Sequence, residues 1–303
     1  MLWIILGILA AAAWSFAAFI DNYLTDVIFK GKTPQAVKFI NGPVNIAIGI
    51  AVAIICQIQI PEWWQAGLLM LSGAISAVGV IAYYQALKYE ESTGAAIFYQ
   101  LQPIMFLLID RFMFGEQISQ QQILGFIIIL LAPVVIVLAN KRARARKFEM
   151  AAAGLLILYV FVATISAEIS TRTGEGIDFP AIFSFFIIGK GVADILLGLF
   201  IPGYRKRHHY ILKRYKLKYC IVAAFDQLIC AVADFTYRYS LIIGIAALSS
   251  AITNASELII TFTLGIILSA IWPNLGREKL QRRLIIGHII AVILCVIGII
   301  IIQ

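Results

Sequence analysis

Two matching stretches of the chain decide its fold. Residues 116–134 read EQISQQQILGFIIILLAPV, and residues 278–296 read EKLQRRLIIGHIIAVILCV. At an offset of 162 residues, six positions are identical: Glu116 and Glu278, Ile123 and Ile285, Gly125 and Gly287, Ile127 and Ile289, Ile128 and Ile290, and Val134 and Val296. The second half of the chain is therefore predicted to repeat the first half.

The repeat extends upstream with a different offset. An offset of 154 aligns Leu87 with Leu241 and Gln100 with Asn254, and the difference indicates an insertion of eight residues around positions 268–275. Two copies of an odd number of membrane helices have opposite orientations. Many secondary carriers are built in this way, with the substrate site at the repeat interface near the bilayer midplane.

The composition indicates that the solvent around this chain is lipid. Hydrophobic residues make up 62% of the 303 residues, charged residues make up 13%, and the mean hydropathy is +0.94. An average soluble domain has about 45–50% hydrophobic and about 25% charged residues. Ten apolar runs have nearly the length that spans a bilayer. They cover residues 2–21, 35–58, 64–88, 93–115, 120–139, 151–171, 180–202, 219–243, 246–271 and 284–302.

These runs predict the fold class and the domain organisation together. We expect an all-α membrane protein in which ten transmembrane helices form two inverted five-helix repeats around a central cavity. The repeats are predicted at residues 1–140 and 151–303, with a basic linker at residues 141–150. Residues 2–21 have no basic segment before the apolar run and no small-residue cleavage site, so we interpret them as a spanning helix rather than a signal peptide.

The net charge of +8 is concentrated on one predicted face. The loops after helices one, three, five, seven and nine, with their flanks, hold 20 of the 24 Lys and Arg residues, including basic loops at residues 141–147 and 205–218. This asymmetry follows the positive-inside rule. It predicts that these loops are cytoplasmic, in a cell (plasma or inner) membrane, and that both termini lie outside. A basic surface for nucleic acid or anionic lipid headgroups is the weaker alternative, and no nucleic-acid partner is expected.

No pattern typical of an enzyme or a metal site is present in the sequence. It contains no G-x-S-x-G, P-loop or H-E-x-x-H motif. The four cysteines lie in or beside apolar runs without a C-x-x-C spacing, and the three histidines form no ligand cluster. We therefore expect neither catalysis nor a cofactor nor a metal.

Charged residues inside the second-half helices are the main functional signal, because a charge at bilayer depth costs several kcal/mol. Lys190 and Asp194 are spaced four apart and could pair on one helix face. Asp226 and Asp234 lie on one stripe of the next helix, and Glu257 is central in the ninth. The alternative is a self-satisfied structural set of salt bridges, Lys190 with Asp194 and Asp234 with Arg238, which leaves Asp226 and Glu257 without a cation.

The first half carries neutral polar groups at the equivalent positions. Placing Gly49 on Gly198 aligns Asn41 with Lys190 and Asn45 with Asp194. At the offset of 154 given above, Pro103 aligns with Glu257. Matched polar positions in both halves are what a central substrate cavity requires, although interhelical hydrogen bonding is the ordinary role of a single Asn or Gln. The predicted substrate-binding residues are Asn41, Asn45, Tyr84, Tyr99, Gln100, Lys190, Asp194, Asp226, Asp234, Asn254 and Glu257. Pro103, preceded by Gln100 and Gln102, is also expected to loosen the fourth helix.

A series of short motifs occurs in the first half, with a weaker copy in the second half. The first series is Trp14, Tyr83-Tyr84-Gln85-Ala86-Leu87-Lys88-Tyr89, Ser92-Thr93-Gly94-Ala95-Ala96, Gln102-Pro103, Phe114-Gly115-Glu116 and Gly125, and the copy is Tyr239-Ser240-Leu241, Ala246-Ala247-Leu248-Ser249-Ser250, Gly276-Arg277-Glu278 and Gly287. In the order and spacing of these motifs, the sequence resembles the EamA repeat of the drug/metabolite transporter superfamily. The resemblance implies ten helices in two inverted repeats and secondary transport of small organic solutes. Two departures stand out. Glu257 replaces a proline of the pattern, and the charges favour external termini, as in a rhamnose-transporter-like branch.

Together these observations predict a secondary-active, alternating-access carrier of a small polar metabolite. The predicted cavity holds more acidic than basic groups, which favours amino-acid-like or amine-like solutes over phosphorylated anions. A sugar or drug carrier is the alternative within the transporter class. A buried carboxylate could also carry a coupling proton. The different-class alternative is a non-transporting membrane receptor or assembly scaffold. The expected partners are the small-molecule substrate and the lipid bilayer, while proton coupling and a homodimer are left open.

Overall fold

The computed structural model describes residues 1–30, 33–87, 89, 98–115, 119–139, 150–271 and 282–302. Several predictions fall outside these ranges: the basic stretch at 141–147, half of the proposed insertion at 268–275, both glutamates of the opening alignment, and Gln303. The described residues are helical and contain no β-strand. The all-α prediction is therefore confirmed for this part of the chain.

Ten α-helices occur in the described residues, and they are numbered here in chain order. They are α1 (Leu2–Tyr23), α2 (Lys38–Ile55), α3 (Trp63–Ala86), α4 (Leu101–Met113), α5 (Gln120–Ala139), α6 (Met150–Thr173), α7 (Phe179–Phe200), α8 (Pro202–Ile243), α9 (Ala246–Ile271) and α10 (Arg282–Ile302). A π-helical turn (Leu24–Ile28) extends α1, and a 3₁₀ turn (Pro34–Val37) precedes α2. Seven helical segments of the described chain are long and apolar enough to cross a membrane, and two shorter apolar segments lie in α5 and α10.

The predicted bounds agree closely with most helices but are wrong for α8. The bounds of α5 and α9 agree with the predicted runs, whereas the predicted start of α8 at residue 219 is 17 residues too late, because α8 begins at Pro202. The predicted loop at 205–218, which included His208 and His209, is therefore part of a helix. At 1.5 Å per residue, the 42 residues of α8 extend about 63 Å, roughly twice the hydrocarbon thickness of a bilayer. We refer to residues 202–216 as the α8 extension.

The α8 extension is helical because one of its faces is buried against the segment that joins α1 to α2. Tyr204, Ile211 and Tyr219 are buried. His208 stacks on Phe39, with 4.7 Å between ring centroids, and its Nδ1 lies 3.3 Å from the Tyr219 hydroxyl. Arg205, Lys206, Lys213 and Arg214 are exposed, whereas Arg207 is half-buried and donates to the Phe29 carbonyl. A run that is polar in composition therefore forms an amphipathic helix through its apolar stripe.

Small residues set the closest helix contacts of the bundle. A side-chain carbon added at Gly42 of α2 would lie 2.9 Å from the Gly191 oxygen of α7, and one added at Gly191 would lie 2.7 Å from the Gly42 oxygen. The glycines at 125 in α5 and 298 in α10 approach each other in the same reciprocal way. Glycine allows two membrane helices to pack backbone against backbone. The α5–α10 pair contributes no cavity-lining residue among the described ones, so the other helices surround the cavity.

Candidate functional site

A cavity of about 130 Å³ lies among α1, α2, α3, α4, α6, α7, α8 and α9. Nine of the eleven predicted site residues line it: Asn41, Tyr84, Tyr99, Lys190, Asp194, Asp226, Asp234, Asn254 and Glu257. Asn45 and Gln100 do not line the cavity. Each donates a hydrogen bond to a residue that does, Asn45 to Asp194 and Gln100 to the Asn254 carbonyl. Binding of a substrate by these residues stays a prediction, since the structure holds no ligand.

The two lysines of the cavity are each paired with an aspartate on a different helix. Lys190 Nζ of α7 lies 2.6 Å from Asp234 Oδ2 of α8. Asp194 accepts from Lys38 Nζ of α2 in a very short contact, and Asn45 Nδ2 lies 3.4 Å from its other oxygen. The predicted pairing of Lys190 with Asp194 is therefore wrong. The four-residue spacing allowed that pair, but helix packing brings a better partner to each residue.

Arg238 is held by serines and an aromatic ring rather than by Asp234. Its Nη1 donates to Ser170 Oγ, and its Nη2 donates to Ser166 Oγ at 3.0 Å. The guanidinium carbon lies 3.4 Å from the centroid of the Phe186 ring, in a cation–π contact. The predicted Asp234–Arg238 ion pair is not found among the described residues. Arg238 is thus a positively charged group of the cavity wall whose hydrogen-bond partners are neutral.

Two aspartates near the middle of the cavity lack a cationic hydrogen-bond partner in the described structure. Asp21, at the end of α1, accepts a hydrogen bond from the Tyr84 hydroxyl at 2.6 Å. Asp226 of α8 is 1% exposed, and its Oδ1 has no hydrogen-bond partner among the described residues. The sequence analysis identified Asp226 and Tyr84 but missed Asp21, which closes the first apolar run. Asp21 would have been identified by the rule used for the other charges, that a charge inside an apolar run is costly and indicates a functional residue.

Glu257 faces the other part of the cavity, among aromatic side chains. It is 6% exposed, and no hydrogen bond to its carboxylate is found in the described part of the chain. Tyr99, Tyr159 and Tyr237 line the same cavity. Trp14 packs edge-on against Tyr237 at a centroid distance of 4.9 Å. The Glu257 carboxyl group and these aromatic side chains thus line one cavity, an arrangement that favours a cationic ligand group.

Pro103 and Asn254 form the polar junction between α4 and α9. Pro103 has no N–H, so the carbonyl of Tyr99, four residues earlier, cannot make its helical hydrogen bond. Asn254 Nδ2 donates to this carbonyl at 2.7 Å, and Gln100 Nε2 donates to the Asn254 carbonyl at 2.9 Å. The helical turn at residues 98–99 is interrupted at Gln100 before α4 begins. The expected loosening of the fourth helix therefore occurs at Gln100. The Tyr99 carbonyl, which lacks its helical partner, accepts a hydrogen bond from Asn254 instead.

A second charged group lies where α4 and α6 end, away from the central cavity. Arg172 Nη2 of α6 lies 2.9 Å from Asp110 Oδ1 of α4, and Arg172 Nε lies 3.5 Å from Glu168 Oε2. The Phe114 ring centroid lies 4.0 Å from the Arg172 guanidinium carbon. The sequence analysis did not identify this cluster. Asp110 and Glu168 lie near the ends of their apolar runs, where charges are common, and so gave little signal.

No group of three or more metal-ligating side chains is present among the residues that the structure describes. All four cysteines are free. The described cavity therefore offers charged and hydrogen-bonding groups together with aromatic rings. Such groups can hold a small polar molecule by ion pairs, hydrogen bonds and stacking.

Comparison with known proteins agrees with the fold and with the resemblance found in the sequence. Residues 1–138 match the family model of the EamA-like transporter family. A solved crystal structure of another protein is similar with a TM-score of 0.69 at 16% identity, and the similarity covers 98% of each chain. At this identity the likeness shows a shared fold alone. None of the curated proteins matches the sequence.

Proposed function

We propose that this chain, whose residues 1–138 belong to the EamA-like transporter family of the drug/metabolite transporter superfamily, is a secondary-active carrier of a small amino-acid-like or amine-like solute that works by alternating access. A membrane transporter of this superfamily is what the family match indicates. The sequence has no nucleotide-binding motif, so the driving force is a solute or ion gradient.

The proposed architecture is two inverted five-helix repeats, and the helix packing supports it. Gly42 and Gly191 are equivalent under the alignment that places Gly49 on Gly198, and they meet at the α2–α7 crossing. Gln100 and Asn254 are also equivalent, and they meet at the α4–α9 junction. Equivalent residues meet at a two-fold axis, which is expected between inverted repeats. The α3–α6 and α8–α1 contacts are a further equivalent pair.

The charge arrangement of the cavity carries the proposal for the substrate class. Lys38 and Lys190 are each neutralised by an aspartate. Asp226 and Glu257 have no cation within hydrogen-bonding distance among the described residues. Buried charges in proteins are normally paired, so the unpaired carboxylates favour a ligand that supplies an ammonium group. Arg238, whose hydrogen bonds go to serines, could receive the carboxylate of an amino acid.

The volume of the cavity favours a small solute over a drug-sized molecule. Its volume is about 130 Å³, whereas sites for drug-sized ligands have about 300–1,000 Å³. Sugars remain the nearest alternative within the transporter class, because Asn254, Gln102 and the tyrosines can all bind hydroxyl groups. A non-transporting receptor or scaffold on the same fold is the alternative of a different class.

Ligand-dependent thermal stabilisation of the purified chain tests the substrate class. Amino acids, monoamines, sugars and organic anions are compared at equal concentration, and each stabilising compound is then tested for counterflow in liposomes. We expect amines or amino acids to raise the melting temperature and to exchange across the membrane. Stabilisation by sugars alone would contradict the substrate class, and stabilisation without counterflow would support the receptor alternative.

A further inference from the structure

We propose that a groove on the outer surface of α3, α6 and α7 binds one anionic phospholipid, with an acyl chain in the groove and the headgroup phosphate at Arg205. Among the described residues, the groove shares no lining residue with the central cavity. The proposal therefore does not depend on the transport function.

The wall of this groove is entirely apolar. The groove has a volume of about 480 Å³, and its described lining residues are all aliphatic or aromatic. They lie between Leu71 and Val78 in α3 and between Ala193 and Phe200 in α7, together with Val162 of α6 and with Ile201. Leu71, Val78 and Phe200 are exposed, so the groove opens to the outside of the bundle. Because all three helices are long and apolar enough to cross a membrane, the part of a ligand that lies here must be apolar.

The groove lies beside and beyond a close crossing of α3 and α7. A side-chain carbon added at Gly73 of α3 would overlap the Phe186 carbonyl of α7, and one added at Gly189 of α7 would overlap the backbone of Met70. Next to this crossing, the small side chains of Ala74 and Ala193 leave the space between the two helices unfilled. The crossing thus closes the groove at depth, and the groove continues towards the end of α7.

The length of the groove fits the acyl chain of one leaflet. Its lining residues run from 71 to 78 on α3 and from 193 to 200 on α7, or about 11 Å on each helix at 1.5 Å per residue. One leaflet contributes about 15 Å of the hydrocarbon core. Phe200 is the last residue of the spanning segment of α7, so the groove reaches the membrane surface there. A helix of another chain would need a surface through both leaflets, about 30 Å, and the shorter groove therefore favours a lipid.

Arg205 lies one helical turn beyond the mouth of the groove. The backbone N–H of Arg205 donates to the carbonyl of Ile201, which lines the mouth, at 3.4 Å, and residues four apart lie on the same side of a helix. Arg205 is exposed and follows Phe200 by five residues, which places it in the headgroup layer, roughly 5–8 Å thick. A guanidinium binds phosphate through charge-assisted hydrogen bonds. No acidic residue occurs between Ile201 and Tyr219, so the surroundings favour a headgroup with a net negative charge.

Native mass spectrometry of the full chain in detergent, titrated with palmitoyl-oleoyl phosphatidylglycerol, tests the headgroup site. We expect one tightly bound lipid in the wild type. Arg205→Gln should lose at least about tenfold in affinity, the effect of one charged hydrogen bond. Lys206→Gln removes the same charge from the adjacent exposed residue, about 100° further round the helix, and should bind like the wild type. Unchanged affinity in Arg205→Gln, or an equal loss in both variants, would overturn the site.

Filling the groove tests the position of the acyl chain. Ala193→Phe, or Ala74→Leu on the opposite wall, should also lower the affinity at least about tenfold, and size exclusion with thermal unfolding confirms that each variant is folded. Leu199→Phe, at an exposed residue of α7 outside the groove, is the matched control and should retain the lipid. Wild-type affinity in a folded variant with a filled groove would overturn the proposal.

Three further measurements identify the occupant. Phosphatidylcholine with the same acyl chains should bind more weakly than phosphatidylglycerol, and equal binding would overturn the anionic headgroup. Inorganic phosphate alone should not raise the melting temperature, and Arg205-dependent stabilisation by phosphate equal to that by the lipid would overturn the lipid. A lipid-free dimer that Ala193→Phe abolishes would show that a second copy of the chain fills the groove, which would also overturn the proposal.

Discussion

Glu257 shows how one residue departs from the proposed repeat and thereby defines a candidate site. Its equivalent in the first half is Pro103, which loosens α4 but carries no charge. The repeat therefore places a backbone irregularity in one half and a carboxylate in the other half. Among the described residues, no cation forms an ion pair with the Glu257 carboxyl group, and Tyr99, Tyr159 and Tyr237 line the same cavity. A residue this costly at bilayer depth indicates a functional role.

The substitution Glu257→Gln keeps the volume of the side chain and removes its charge. If Glu257 binds a substrate ammonium, the variant should express normally and lose at least about tenfold in ligand affinity, since a charged hydrogen bond contributes about 1.5–3 kcal/mol. Thermal-shift titration with the stabilising solute measures this loss. Glu62→Gln, at the exposed residue that precedes α3, serves as the control for the loss of a carboxylate charge. Wild-type affinity in Glu257→Gln would show that the residue only packs.

The ion pairs illustrate what residue spacing cannot determine. The sequence correctly indicates that Lys190, Asp194 and Asp234 are buried within long apolar helices, but the i,i+4 spacing suggested the wrong partner. The partner that the sequence analysis did not identify was Lys38, which it counted among the basic residues that flank the first loop. The structure places it 1% exposed at the first residue of α2, opposite Asp194. Partners on different helices are determined by helix packing, and a single sequence contains only indirect information about that packing.

Removing Lys38 should be much more harmful than removing the pair. Lys38→Ala leaves Asp194 buried without its cation, and breaking a buried pair typically costs about 3–5 kcal/mol. The double change of Lys38 to Met and Asp194 to Asn should recover most of this stability. Thermal unfolding in detergent compares the variants, with Lys206→Ala on the exposed face of the α8 extension as the control. Equal melting temperatures for Lys38→Ala and the wild type would contradict this account.

At the scale of a helix, the α8 extension is the largest error of the sequence analysis, and its signal was present. Tyr204, His208, Ile211, Tyr215 and Tyr219 are spaced by four, three, four and four residues, which is the period of one helix face. The dense basic charges between them suggested a loop. The stripe packs on Phe29 and Phe39, so the extension attaches the basic end of α8 to the α1–α2 connection.

Acidification should loosen this attachment through His208. Burial lowers the pKa of His208, followed in effect by the neighbouring His209, so the folded state favours the neutral ring. The unfolded pKa is about 6.5. The stabilisation is therefore complete above about pH 6.5 and is lost as the pH falls through the lower pKa of the folded state.

Hydrogen exchange of residues 202–216 measures this effect at several pH values, after correction for the intrinsic pH dependence of exchange. Protection should fall on the acidic side in the wild type and in His209→Phe, which changes the exposed neighbour. In His208→Phe, which keeps a ring on Phe39 but cannot be protonated, protection should be independent of pH. A persistent acid-induced loss in His208→Phe would assign the effect to another group.

At the scale of the whole molecule, the apolar runs predicted the helices well because lipid leaves a chain little choice of backbone structure. The helices of the described chain follow the predicted order, and the residues expected in a common cavity largely line one. The cavity geometry could not be predicted, since it depends on which helices touch. The contacts of Arg238 with Ser166 and Ser170 and of Tyr84 with Asp21 join helices that are far apart in sequence.

The orientation of the molecule is the remaining prediction at this scale, and a native cysteine tests it. If the basic loops face the cytoplasm, α2 runs outward and its last turn reaches the external face. Cys56 lies there and is exposed, whereas Cys295 is buried and Cys220 and Cys230 are only partly accessible. A membrane-impermeant maleimide should therefore label intact cells through Cys56, and Cys56→Ser should abolish that label.

Lys213→Cys in a Cys56→Ser background, on the basic α8 extension, should react only after permeabilisation. A reporter that is active only in the cytoplasm should stay silent when fused after Gln303. Labelling of the residue 213 cysteine in intact cells, together with an active reporter, would reverse the orientation and leave the fold unchanged.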